Sequence, residues 1–290
     1  MDKLRYINAL GQEVEFSAES SYRWLSVDDL GGAEITQQVV QSPYQDGSTA
    51  VGDVYFQPRV LQVKIIIVSD EKDNRIRDLN NRLNPRLGMG KLVYQVGEYV
   101  RVLDQVKVRR LPTLPDGNQS GKRYQITQIT FEAFDPLYTD EDPTELTVSS
   151  GAGTFTFPLN ITDEFEFNYL NSDGVVIENA GDVETPVVIT VDGPITAPLV
   201  IENLTTEQQI TVALDLLDAE RLTITTGVSD LDVTKTDLDT GEVINAFSYL
   251  DIDGTDFFQL ARGPNSIRVT ADGSSVAAAQ LSYKNRYVGL

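Results

Sequence analysis

The chain has 290 residues, 41% of them hydrophobic, which is enough for one large or two ordinary domains with a buried core. It holds no cysteine and no histidine, which excludes disulfides, thiolate ligands, cysteine nucleophiles, the Ser-His-Asp triad and the commonest metal ligand and general base. Net charge is −21 with a pI near 4.3, so the chain lacks the basic surface that binding of bare nucleic acid requires.

The charge is unevenly placed. Residues 1–140 carry 17 Lys+Arg against 19 Asp+Glu, net −2, and residues 141–290 carry 6 against 25, net −19. A break of this size marks two domains. The N-terminal Met1-Asp2-Lys3-Leu4-Arg5-Tyr6 has no apolar run behind it, so no signal peptide is expected, and no apolar stretch is long enough to span a bilayer.

In chain order, Leu4–Asn8 reads as a strand, Ala9–Gln12 as a turn and Glu13–Phe16 as the return strand, where Val14 and Phe16 alternate with Glu13 and Glu15. Tyr22–Val27 is a third strand and holds Trp24, the only tryptophan, whose expected place is core or subunit contact. The stretch from Glu34 to Val68 organises the rest. It runs from a polar strand, Glu34–Val40, through a glycine-rich loop, Ser42–Asp53, into Val54–Phe56 and the most apolar strand, Leu61–Val68. Leu61, Val63, Ile65 and Ile67 share one face, which is therefore core. The loop is too long for a tight hairpin, and loops of that length are usually functional or disordered. It is expected to meet neighbouring copies of the chain, with Pro43, Tyr44, Gln45, Asp46 and Gly47 at its tip as interface candidates beside Trp24.

One helix follows. Ser69 is expected to cap it, Asp70 and Glu71 to occupy its first turn, Ile76, Leu79 and Leu83 to form a narrow apolar stripe, and Asn84-Pro85 to end it. Lys91–Val96 and Tyr99–Val108 form a hairpin around Gly97-Glu98, where glycine in the first position suits a type II′ turn. Leu111–Gly121 is a loop. Tyr124–Phe134 is a long strand whose apolar phase changes between Ile126 and Ile129, which predicts a β-bulge near Thr127-Gln128. Thr139–Pro143 is acidic and proline-bearing and reads as the linker between domains at 1–138 and 144–290.

From Glu145 onward only strands and turns are expected. The strands are Thr154–Phe157, Phe165–Tyr169, Val175–Ile177, Val187–Val191, Leu199–Asn203, Gln209–Leu214, Leu222–Thr225, Leu231–Thr236, Val243–Phe247, Phe257–Leu260, Ile267–Thr270 and Val276–Tyr283. Short strands at this spacing, separated by Asp-Gly and Gly-Pro-Asn turns, give an antiparallel β-sandwich.

Three segments resemble the distal tail protein (Dit) family of long-tailed, non-contractile phages. They are Tyr6-Ile7-Asn8 through Val68 and its helix; Asn179-Ala180-Gly181-Asp182 with Thr185-Pro186, Gly193 and Asn203-Leu204-Thr205; and Phe257–Leu260 with Gly263-Pro264-Asn265 and the ending Tyr283-Lys284-Asn285-Arg286-Tyr287. The resemblance implies a mainly β chain: an N-terminal tail-tube-like β-barrel or sandwich with one α-helix, and a C-terminal galectin-like antiparallel β-sandwich. It implies a homo-hexameric ring at the distal end of a phage tail, a hub joining the tail tube to the tail tip or baseplate. Implied partners are the tail-tube protein, a tail-tip or tail-associated protein and the tape measure protein, with neither nucleic acid nor membrane bound by the chain itself. The place implied is the virion, after synthesis in the host cytoplasm.

Other chemistry is weaker in the residues. With 44 acids, accidental carboxylate pairs are expected and do not make a glycosidase. Asp237–Glu242 and Asp251–Asp256 look like calcium loops but miss the EF-hand spacing, and side-chain-capped turns account for both. Gly88-Met89-Gly90 precedes a strand and lacks the Lys-Ser/Thr pair of a phosphate loop. No catalytic, cofactor or metal residue is expected, and the chain reads as a structural protein. The alternative is a carbohydrate-binding adhesion module. Galectin-type sites use a tryptophan and a histidine, however, and here there is no histidine and the tryptophan lies in the other domain.

Overall fold

A computed structural model of the chain describes residues 2–44, 46–149, 174–272 and 277–290. The strands expected at Thr154–Phe157 and Phe165–Tyr169, and the interface candidate Gln45, lie outside these residues. The fold is mainly β with one α-helix among the described residues. Two compact units divide it: Met1–Glu141 together with Arg286–Leu290, and Asp142–Asn285.

In the first unit the strands are β1 Lys3–Ile7, β2 Glu13–Ser17, β3 Tyr22–Asp28, β4 Ile35–Val40, β5 Thr49–Phe56 and β6 Arg59–Val68. The helix α1, Lys72–Arg82, precedes β7 Gly90–Val96, β8 Tyr99–Arg110, β9 Tyr124–Ala133 and β10 Tyr138–Thr139. One antiparallel sheet runs in the order β2-β1-β7-β8-β9-β6-β3. Four strand steps separate β7 from β3, about 19 Å in a flat sheet. Yet Trp24 on β3 stacks on Tyr94 of β7 with ring centroids 6.2 Å apart. The sheet is therefore curled on itself around its core, and Tyr6 of β1 accordingly meets Phe131 of β9 at 5.1 Å.

The inward residues of β6, Leu61, Val63, Ile65 and Ile67, are fully buried, each stabilising the fold by roughly 1.5–3 kcal/mol. Leu79 of α1 and Leu83 just after it are fully buried on the same core, with Ile76 half-buried beside them. The β7–β8 hairpin turns at Gly97-Glu98, Val96 opposite Tyr99, with Gly97 at φ +63°.

Three local expectations are corrected here. The Ser69 hydroxyl accepts from the Glu71 N–H at 3.0 Å. That closes a short turn before the helix, so α1 starts at Lys72 and Asp73 is the acid in its first turn. No bulge interrupts β9 at Thr127-Gln128, because β9 pairs with β6 without a register shift from Tyr124 to Ala133. The apolar phase breaks because polar Gln125 and Thr127 occupy the core face, both buried. Gln125 is held there by its side-chain amide, which donates to the Pro115 and Ile126 carbonyls at 3.0 Å. Thr139, read as linker, is a buried strand residue of β10.

The second unit holds β11 Thr144–Ser149, β12 Val175–Asn179, β13 Val187–Asp192, β14 Leu199–Asn203, β15 Gln208–Val212, β16 Glu220–Thr225, β17 Asp232–Asp237, β18 Val243–Asn245, β19 Gly263–Ala271 and β20 Ala278–Tyr283. After it, β21 Arg286–Tyr287 returns to the first unit. Two antiparallel sheets, β11-β20-β13-β16-β17-β18 and β12-β19-β14-β15, enclose one apolar core that includes Ile189, Ile201, Ile224, Phe258 and Leu281. This is the expected sandwich. Phe257–Leu260 is not a regular strand: only Leu260 makes a bridge, to Thr185. Phe258 and Leu260 still fill the core, and the Leu260 carbonyl is held by the Asn179 side-chain amide at 3.0 Å.

Candidate assembly interface

The polar strand and glycine-rich loop at Glu34–Phe56 fold into an arm. β4 and β5 pair only with each other, in a separate two-stranded sheet. The Ser42–Asp53 loop is thus shorter than its sequence suggested, because Thr49–Asp53 already belong to β5. One residue of β4, Gln37, stands opposite three of β5, Gly52, Asp53 and Val54. Such extra residues bend and twist a strand, and Gly52 at φ +77° supplies the backbone freedom. The arm buries almost nothing. Every residue of β4 is exposed, and so is β5 up to Phe56. Ile35, Val39, Val40, Val51, Val54 and Tyr55 all stand in solvent.

At the tip Tyr44 is fully exposed and held at φ +68°, a left-handed conformation that is strained for a bulky residue. Pro43, Asp46 and Gly47 are exposed beside it. Trp24 is not part of this group. It is half-buried in the body of the unit, stacked on Tyr94 and packed on the core.

The arm's roots form a second cluster, which the sequence reading missed. Arg59, the first residue of β6, is 3% exposed. Its guanidinium donates to the Asp29 and Leu30 carbonyls at 3.3 Å, to the Gly31 carbonyl, to Pro136 at 3.0 and 3.1 Å and to Val288 at 3.1 Å. It also lies 4.6 Å from the ring centroid of Tyr138. Burial pushes the Arg59 pKa down and holds the Tyr138 phenol up to about 12. The Tyr138 hydroxyl donates to the Leu30 carbonyl at 2.8 Å. The signal for this cluster is a lone arginine opening the most apolar strand of the chain; a buried charge there needs acceptors, and backbone carbonyls supply them.

Beside it, Arg101 sits over the rings of Tyr99 at 4.2 Å and Tyr287 at 3.7 Å and pairs with Asp140 at 3.0 Å. Arg286 bonds both carboxylate oxygens of Asp135, at 2.7 and 2.6 Å. β10 pairs with β21, Tyr138 opposite Tyr287 and Thr139 opposite Arg286.

In the second unit three asparagines of the turn motifs work as buried struts. Asn179, Asn203 and Asn265 are all 1% exposed or less. The Asn265 carbonyl oxygen accepts from the Ala261 N–H at 2.9 Å and from the Asn203 amide at 3.1 Å, while its own amide donates to Ala261 and Gly263 carbonyls at 2.7 and 2.9 Å. Asp237 caps its turn, accepting from the Asp239 and Thr240 N–H groups at 2.9 and 2.8 Å, which lowers its pKa. Asp251–Asp256 is held differently. Its backbone is tied to β15 by Gln209 and Thr211, and no side-chain cap is involved. Among the described residues no set of three acidic side chains is placed to hold a metal ion.

Residues 180–287 match the SPP1 Dit family, described as siphovirus-type tail component, C-terminal domain. No curated protein matches the chain by sequence. Over almost the full length of both chains, 99% of each, the fold is similar to the SPP1 phage Dit (gp 19.1) protein, described as a paradigm of hub adsorption apparatus in Gram-positive infecting phages, with TM-score 0.68 at 14% identity. It is also similar over all of both chains to a component of the phage p2 baseplate in its activated conformation, with TM-scores of 0.60 for the strontium form and 0.61 for the calcium form, each at 15% identity.

Proposed function

We propose, from a segment 180–287 that carries the siphovirus-type tail component domain and a whole-chain fold shared with a phage hub protein, that this chain is a structural hub at the distal end of a phage tail. Its work is geometric. Copies close into a six-membered ring through head-to-tail contacts, with the tail tube on one side and the tip or baseplate on the other. The tail-tube protein, a tail-tip or tail-associated protein and the tape measure protein are its partners.

The observation that carries the reading is the arm. A two-stranded hairpin with an exposed row of β-branched and aromatic residues is marginal by itself in water. Both of its outer edges are open to pairing. Six large apolar side chains along it, with no core of their own, fit a surface that is covered when a neighbouring copy is present. Antibodies raised against the chain test the placement. Labelled virions viewed by electron microscopy should carry the label at the free end of the tail, and label on the capsid or along the tube would contradict it.

A further inference from the structure

The arm leaves the body of its unit at Asp29–Gly32 and returns at Pro58-Arg59, and the side chain joining these two roots is Arg59. The same guanidinium donates to the carbonyl of Val288 at 3.1 Å. Val288 belongs to Arg286–Leu290, a short stretch separated from the rest of its unit by the whole of residues 142–285. Further contacts fasten that stretch, among them the Arg286–Asp135 pair, the β21–β10 ladder and the stacking of Tyr287 on Arg101. Gly289 lies against the outgoing root, where an added Cβ would meet the Gly32 nitrogen at 3.9 Å.

We propose that Arg286–Leu290 is a strap that fixes the direction of the arm, with Arg59 as the positioning residue through which it acts. The arm itself has no packing that would aim it: β4 is exposed along its whole length. Only its roots can hold its direction, and one buried guanidinium bonds both the outgoing root and the strap, with the Tyr138 hydroxyl on Leu30 beside it. A planar fork with five donors holds several carbonyls in one fixed geometry, which a lysine ammonium cannot reproduce. Because the strap is synthesised after the second unit, the arm becomes fixed only once that unit has been made. A chain lacking the strap therefore carries a wandering arm. This inference rests on the reading of the arm as an interface only for its consequence in assembly, and the strap's hold on the arm is measurable within a single chain.

The chain contains no cysteine, so paired spin labels at Asp46→Cys on the arm and Glu98→Cys on the body report the arm's direction by pulsed electron resonance. The parent chain should give a narrow distance distribution. Removal of residues 286–290, or Arg59→Lys, should broaden it about two-fold or more, since a segment without tertiary contacts samples many directions. An equally narrow distribution without the strap would overturn the proposal. Hydrogen exchange on the unmodified chain serves if either variant fails to fold. Amides of Gln57 and of residues 286–288 should open together with one common free energy, and separate openings would overturn the proposal. A strapless chain with a broad distribution that still forms rings would uphold the strap's hold on the arm and count against the arm as an interface.

Discussion

Ionising Tyr138 means placing a negative charge where the side chain is 1% exposed. Its folded pKa of about 12 lies above the ordinary value of 10, so the folded state holds the proton more tightly than the unfolded chain. The stability tied to the neutral phenol is therefore complete below pH 10 and is lost as pH rises through about 12. At about 1.4 kcal/mol per tenfold change in acidity, the loss is roughly 3 kcal/mol. Urea midpoints should fall between pH 10 and 12, and Tyr138→Phe should flatten that fall; an unchanged slope would contradict the assignment. Asn265 makes a different kind of demand. Removing its side chain in Asn265→Ala takes the partner from the part-buried Ala261 N–H and from the Ala261 and Gly263 carbonyls, which should cost about 1–3 kcal/mol. A thermal midpoint lowered on the order of 5–10 °C is expected, and a change within the error of the measurement would show that the strut is dispensable. These residues also show what could be read ahead of the structure. Alternation marked Leu61, Val63, Ile65 and Ile67 as core, since burial follows strand period. Arg59 and Gln125 could not be placed by period, because their partners are backbone carbonyls that only the folded chain brings within reach, Val288 from far away in sequence for Arg59 and Pro115 across a loop for Gln125.

At the scale of elements, the proposed assembly turns on the arm. Deleting Pro43–Gly52 should leave a folded chain, because the deleted residues described are exposed and belong to no core. Circular dichroism and the thermal midpoint should match the parent while assembly is lost. Rings formed by the deleted chain would assign the arm another role. The strands of the sandwich were legible because short alternating runs between Asp-Gly and Gly-Pro-Asn turns admit few other structures. Thr49–Asp53 read as loop because they carry glycine and polar residues without alternation. Their strand conformation comes from pairing with β4, a tertiary choice that local propensity does not decide. Phe257–Leu260 failed in the opposite sense. Its apolar content marked burial correctly, but Leu260 bonds the Asn179 side chain and forms a single bridge to Thr185 instead of a ladder. The helix start slipped because Ser69 closes a turn before α1 begins.

For the whole molecule, the proposed ring sets the expectations from charge and closure. Residues 141–290 carry net −19, so copies gathered in a ring repel one another, and salt screens that repulsion within about 8 Å at physiological strength. Assembly should be equal or stronger at moderate salt, and dissociation on adding salt would show that ion pairs hold the interface. The return of Arg286–Leu290 to the first unit was not readable, since the quoted ending Tyr283–Tyr287 looked like one strand and is split between β20 and β21 of different sheets. The central claim is that copies of this chain close into a ring of six. Light scattering coupled to size exclusion, with negative-stain images of the same peak, tests it most directly. Six chains of 32.0 kDa make about 192 kDa, and ring closure forbids growth beyond that mass. A peak of that mass holding ring-shaped particles with a central hole is the predicted result, in dilute solution or once tail-tube or tip proteins are added. A 32.0 kDa species at every concentration, with no rings after either protein is added, would contradict it.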